Sequence, residues 1–169
     1  MISGQQLKDL DVVIIFKNQG DEELRYCLRS IEKNLPHRNI ILSGDKPVWA
    51  TNVTHIPLKS TQRPKTCWED QAFKIYNACR DDRVSDNFVF FNDDFFCLKP
   101  VKQLPNFYLD TLLEDVLRRS KLHQMNNKYI VGMRNTHKLL KDKGIEVPLS
   151  YELHLPMVIR KYRWIDVYD

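Results

Sequence analysis

The stretch Phe88-Val89-Phe90-Phe91-Asn92-Asp93-Asp94 constrains this chain more than any other. Its apolar residues run on without alternating with polar ones, so both sides of the strand they form must be covered. Such a strand belongs inside a sheet, with helices above and below it. Asp11-Val12-Val13-Ile14-Ile15-Phe16 has the same character. Helical patterns separate the two runs. Asp21 to Asn34 puts Leu24, Cys27, Leu28 and Ile31 on one face, with acidic residues in its first turn, and a second helix is expected over Cys67–Cys79. Shorter strands are expected at Asn39–Ser43 and Val53–Pro57. Strands that alternate with helices in this way predict an α/β fold with a mostly parallel central sheet flanked by helices. At 169 residues the chain is read as a single domain, 1–169.

The second half gives a strongly periodic helix over Leu109–Leu122, with Leu109, Leu112, Leu113, Val116 and Leu117 as its apolar stripe. Tyr129–Met133 reads as a strand. His137–Lys143 reads as a short helix closed by Gly144, and Leu153–Met157 as a last strand or an extended loop.

In a parallel sheet, ligands bind beyond the carboxyl ends of the strands. Lys17-Asn18, Ser43-Gly44-Asp45 and Asn92-Asp93-Asp94 each follow an apolar strand, so they are expected along one edge of the sheet. Paired carboxylates at a strand end suit Mg²⁺ or Mn²⁺, hard cations that take oxygen ligands. Asp93 and Asp94 are the metal candidates, and Asp93 is also a catalytic candidate as a general base. The same trio reads as an Asx turn, since Asn and Asp are turn formers. Asn92, Asn18 and Asp45 are candidates for holding a nucleotide, although Asp45 also fits a plain turn before Pro47. Arg63 and Lys65, and Arg160 and Arg163, are candidates for phosphate contacts because guanidinium and ammonium groups match phosphate oxygens. Each pair reads equally as a solvated basic face. Glu152 lies two residues before His154, on the same face if the segment is extended, where it would serve as a general base.

Composition removes some classes of function. The cysteines Cys27, Cys67, Cys79 and Cys97 have no zinc or CxxC spacing. No apolar run approaches a membrane span, and residues 1–6 lack the pattern of a signal peptide, so a cytoplasmic protein is expected. The net charge is +4, and the basic excess lies late in the chain. From Arg118 to Asp169 there are eleven Lys or Arg against five Asp or Glu, which suits an anionic partner such as a nucleotide diphosphate or a polynucleotide.

The strand-end carboxylates resemble the acidic motif of GT-A-type nucleotide-sugar transferases. More specifically, Glu23–Ile31 (Glu-Leu-Arg-Tyr-Cys-Leu-Arg-Ser-Ile) is similar to a signature segment of the Stealth family of capsular and GlcNAc-1-phosphotransferase-like proteins. Leu35-Pro36, Asn39–Leu42, Pro47-Val48-Trp49 and Val84–Phe96 continue that pattern in order, and His154-Leu155-Pro156 resembles a later H-x-P element. The chain departs from the family at residues 59–71, where an LPTFNS segment would stand, and its opening acidic element is represented only by Asp11–Asn18.

The resemblance implies a metal-dependent glycosyltransferase or sugar-1-phosphate transferase that uses a nucleotide-sugar donor, a UDP-sugar foremost. Mn²⁺ or Mg²⁺ would be the cofactor, and His154 a further metal ligand or an acid/base group. The acceptor would be a glycan or modified DNA. Glycosylation or binding of nucleic acid, a metal-dependent phosphohydrolase and a non-catalytic binding module are the competing readings.

Overall fold

A computed structural model describes residues 2–17, 22–58, 67–122 and 127–168. Along the chain the elements are β1 (Ile2–Ser3), α1 (Gly4–Leu7), β2 (Asp11–Phe16), α2 (Glu22–Asn34), β3 (Ile40–Gly44), β4 (Thr54–Pro57), α3 (Cys67–Cys79) and β5 (Asn87–Asn92). They continue with β6 (Gln103–Leu104), β7 (Asp110–Thr111), α4 (Leu112–Leu122), α5 (Lys128–Asp142), β8 (Leu149–Ser150), β9 (Met157–Arg160) and α6 (Lys161–Tyr168). The chain divides into two compact units, one formed by Met1–Asn106 with Leu155–Asp169 and the other by Phe107–His154.

The first unit is the expected α/β layer structure. Its sheet has the order β4-β3-β2-β5-β9, parallel throughout except for β9. Every residue of β2 is buried. Period-two alternation sends Val12, Ile14 and Phe16 to one face, where they pack with Leu24, Cys27, Leu28 and Ile31 of α2. Val13 and Ile15 go to the other face and meet Ile75, Ala78 and Cys79 of α3. β5 repeats the division, with Val89 and Phe91 toward α2 and Phe88 toward α3. The absence of polar alternation in both runs thus has its cause in two helical layers.

The amino end of β2 is tied down by charge. Asp11 is fully buried and accepts hydrogen bonds from Arg38 Nε (2.9 Å), Arg38 Nη2 (2.6 Å), Asn39 Nδ2 (3.2 Å) and the Ser85 backbone N–H (2.7 Å). Burial pushes its pKa up, but these donors outweigh burial and hold it below the ordinary carboxylate range. Asp11 is therefore a structural anion at the edge of the sheet opposite Asp93 and Asp94.

The second unit pairs α4 with α5 beside the antiparallel β7–β8 ribbon. Its centre is Leu112, Val116, Ile130 and Met133. Asp115 is buried among them and accepts from Ser150 Oγ (2.7 Å), Arg119 Nε (2.9 Å) and Arg118 Nη2 (2.5 Å).

Several expectations are corrected here. Tyr129–Met133 is not a strand, because α5 runs unbroken from Lys128 to Asp142. The Asn127 side chain caps it by accepting from the Tyr129 N–H at 3.0 Å, and Ile130 and Met133 bury at helical rather than strand spacing. Gly144 does follow the helix end at φ +82, as expected. α4 begins at Leu112. Its inward side carries Leu112, Asp115 and Val116, while Leu113 and Leu117 are exposed. The last strand is Met157–Arg160 rather than Leu153–Met157, and it leads into α6, which was not anticipated. No described helix is long and apolar enough to cross a membrane.

Candidate functional site

Sheet register places the three expected strand ends together. Gly44 of β3 pairs with Phe16 of β2, and Asn92 of β5 pairs with Ile15 of β2. The ends of β3 and β5 are thus two strand spacings apart, about 10 Å, along one edge. Asn18, Arg63 and Lys65 lie outside the described residues.

Asn92-Asp93-Asp94-Phe95 is a tight turn, closed by the Phe95 N–H donating to the Asn92 carbonyl at 3.3 Å. The Asx-turn reading and the carboxylate-site reading therefore describe the same residues. The turn is pinned from behind by α2. The Cys27 thiol donates to the Asn92 carbonyl at 3.5 Å, the Cys97 N–H donates to Ser30 Oγ at 3.0 Å, and Asn34 Nδ2 donates to the Cys97 carbonyl. Phe95 packs edge-on against Phe91 with 5.8 Å between ring centroids. Because its backbone is held on both sides, the turn presents Asp93, half-buried, and Asp94, exposed, at a fixed place.

The electrostatics at the turn favour a cation. Burial raises the pKa of Asp93, its own backbone N–H opposes this, the Asp94 and Glu23 carboxylates raise it further, and Lys74 lowers it. Negative charge thus accumulates at a partly desolvated turn, a balance that a divalent ion would relieve. Oxygen donors of this kind fit hard cations such as Mg²⁺ or Mn²⁺. Among the described residues no group of three or more His, Cys, Asp or Glu side chains stands ready to hold a metal. Asp93 and Asp94 are the two adjacent carboxylates that could hold such an ion.

Sequence reasoning missed Lys74. It lies on the inward face of α3 with Ile75, Ala78 and Cys79, and its side chain is 3% exposed. It pairs with Asp70 Oδ2 at 2.7 Å, one helical turn earlier. Its aliphatic stem lies over Gly44, where an added Cβ would stand 2.9 Å from Lys74 Cε. Ser43 Oγ donates to the Lys74 carbonyl at 2.8 Å and fixes α3 to the end of β3. The legible signal was a lysine at an apolar position of the helical stripe, with an acid four residues before it.

Arg160 and Arg163 fall elsewhere in the first unit. Arg160 pairs with Asn87 at the amino end of β5, six residues from Asp93 along the strand direction, about 20 Å. Arg163 follows on α6 with its guanidinium over the Tyr162 ring. The structure therefore does not bring this pair to Asp93, because β9 runs antiparallel and starts α6 at the opposite edge. Asp45 follows Gly44, its N–H donating to the Phe16 carbonyl at 3.1 Å. Glu152 and His154 are both exposed residues of the second unit, and the Glu152 carboxylate acts electrostatically on Arg119 and Tyr129.

No family model matches the chain. Over 155 residues, 83% of this chain, it is 29% identical to the exopolysaccharide phosphotransferase SCO6023 of Streptomyces coelicolor. Over 104 residues, 56% of this chain, it is 32% identical to the capsular polysaccharide phosphotransferases eps5J and CpsJ of Streptococcus thermophilus. The matches span 26% of the first relative and 42% of each of the others. The proteins that this chain is similar to are thus polysaccharide phosphotransferases, in keeping with the Stealth-type resemblance of its motifs.

Proposed function

We propose that this chain carries the donor site of a transferase that moves a sugar-1-phosphate from a nucleotide sugar to a glycan acceptor. The observation that carries this reading is the pinned Asn92-Asp93-Asp94 turn at the carboxyl edge of a parallel sheet. The phosphotransferase names of the relatives support phosphoryl over glycosyl transfer.

Asp93 and Asp94 would hold Mn²⁺ or Mg²⁺. When bound, that ion neutralises charge on the donor phosphates and polarises phosphorus. The work of the chain itself is positional. The hydrogen bonds from α2 hold the turn so that the carboxylates need not reorganise when substrate arrives. Covered strands below the site exclude water from one side.

Arg63 and Lys65 are the proposed phosphate contacts. Asn18 and Asp45 complete the proposed nucleotide contacts.

Sugar-phosphate transfer breaks the bond between the two phosphates and releases a nucleoside monophosphate, whereas glycosyl transfer releases a diphosphate. A panel of UDP-, GDP-, CDP- and TDP-sugars with Mn²⁺ and a glycan acceptor separates them by the nucleotide released. Monophosphate release that stops with EDTA and with Asp94→Ala is the expected result. Diphosphate release would replace the reading by glycosyl transfer. No release from any donor, with or without acceptor, would sink it.

A further inference from the structure

The Asp70–Lys74 pair is only half satisfied. Asp70 Oδ2 holds Lys74, but Asp70 Oδ1 is buried and has no hydrogen-bond partner among the described residues. A buried ionised oxygen left unpaired is more costly than a neutral one, and native structures reserve such groups for places that something else completes. The Asp70 side chain keeps 13% exposure, so the carboxylate borders solvent rather than being sealed.

What completes it follows from its chemistry. A carboxylate oxygen accepts only, so its partner must be a donor or a cation. Lys74 already neutralises Asp70, and a second cation is not required. A neutral hydroxyl is the partner that satisfies Oδ1 without a new charge. The Lys74 stem lies over Gly44 at the end of β3, two strand spacings, about 10 Å, from the end of β5 that leads into Asp93. A group beside Asp70 is therefore within the length of a nucleotide sugar whose phosphates sit at Asp93 and Asp94.

We propose that Asp70 Oδ1 receives a ribose or sugar hydroxyl of the nucleotide-sugar donor, with Lys74 as the positioning residue that holds the carboxylate in place through Oδ2. This rests on the nucleotide-sugar reading above. Ribose and sugar share the same hydroxyl chemistry, and the arms of the experiment separate them.

The variant is Asp70→Leu combined with Lys74→Met, which replaces a buried ion pair by apolar groups of similar volume, an exchange that cores often accept. Wild type and variant are titrated calorimetrically, with Mn²⁺ present, against UDP, CDP, GDP and ADP, against their 2′,3′-dideoxy counterparts, and against the matching nucleotide-glucose. If the ribose is the partner, loss of its hydroxyls weakens wild-type binding about 10- to 100-fold and leaves the variant unchanged. If the sugar is the partner, adding glucose strengthens binding to wild type and not to the variant. Identical responses of the two proteins to both changes would overturn the assignment while leaving the nucleotide site standing. Failure of wild type to bind any of the four nucleotides would instead remove the reading on which it rests. Should the double variant unfold, Asp70→Ala with Lys74→Met also removes the acceptor oxygen, with no added bulk at position 70, and is read in the same way.

Discussion

Replacing Gly44 by alanine tests the link between the fold and the candidate site. Gly44 ends β3 at φ +115, a conformation that side-chain-bearing residues rarely adopt. Forcing it on alanine costs about 1–3 kcal/mol. The new Cβ would also stand 2.3 Å from the Phe16 carbonyl oxygen, which is backbone within the central strand and cannot step aside. Overpacking of this kind costs about 1–3 kcal/mol. Lys74 Cε, at 2.9 Å, ends a flexible stem and gives way more cheaply. Reduced freedom of the unfolded chain returns about 0.4–1 kcal/mol. The net loss is about 1–5.6 kcal/mol, a fall in Tm of about 2–22 °C for a chain of this size. Urea unfolding at neutral pH measures it directly. Gly132→Ala is the control: that glycine lies within α5, and a Cβ there meets nothing within 4 Å. It should gain about 0.5–1 kcal/mol. A Gly44→Ala protein as stable as wild type, beside a stabilised Gly132→Ala, would refute the argument.

Three further outcomes follow from buried charge. Asp11→Ala should lose about 2–4 kcal/mol, because it strands the donors of Ser85 and Asn39 while Arg38 recovers some hydration. The folded pKa of Asp11 is depressed, so its contribution is present above the unfolded pKa and fades as pH falls through the folded pKa; urea curves of variant and wild type should converge in acid. Asp93→Asn should raise the stability of the metal-free protein by about 0.5–1.5 kcal/mol while weakening Mn²⁺ binding. The folded pKa of Asp93 is raised, so this advantage is full above that value and vanishes below the unfolded one, as melting at several pH values in EDTA will show. Asp115→Ala should cost about 1–3 kcal/mol by leaving the Ser150 hydroxyl unpaired, measured by thermal unfolding.

The first unit was legible because its strands are covered on both faces. Unbroken apolar runs at Asp11–Phe16 and Phe88–Phe91 have few alternatives to an interior parallel strand, and the polar trio after β5 marks its carboxyl end. The second unit was misread where local pattern and tertiary burial diverge. Ile130-Val131 looks like a strand, yet the Asn127 cap and the burial of Ile130 and Met133 settle a helix. α4 turns Asp115 inward, and no apolar count would select a carboxylate for a core position. Arg160 and Arg163 failed for a topological reason. A basic segment near the end of the chain can return to either edge of a sheet, and the antiparallel β9 delivers it to the edge away from Asp93. Lys74 was hidden because an inward lysine is unusual. Its reason for being there, the pair with Asp70 above Gly44, exists only in three dimensions.

The most direct test of the carboxylate turn as the seat of chemistry is an anomalous difference map from crystals soaked with Mn²⁺ and the nucleoside diphosphate that the protein binds. Asp93 and Asp94 should lie about 2.0–2.6 Å from the manganese peak through at least one carboxylate oxygen, with nucleotide phosphate oxygens on the same ion. A manganese–nucleotide peak at another place, with the Asp93 and Asp94 carboxylates making no contact to it, would contradict the assignment.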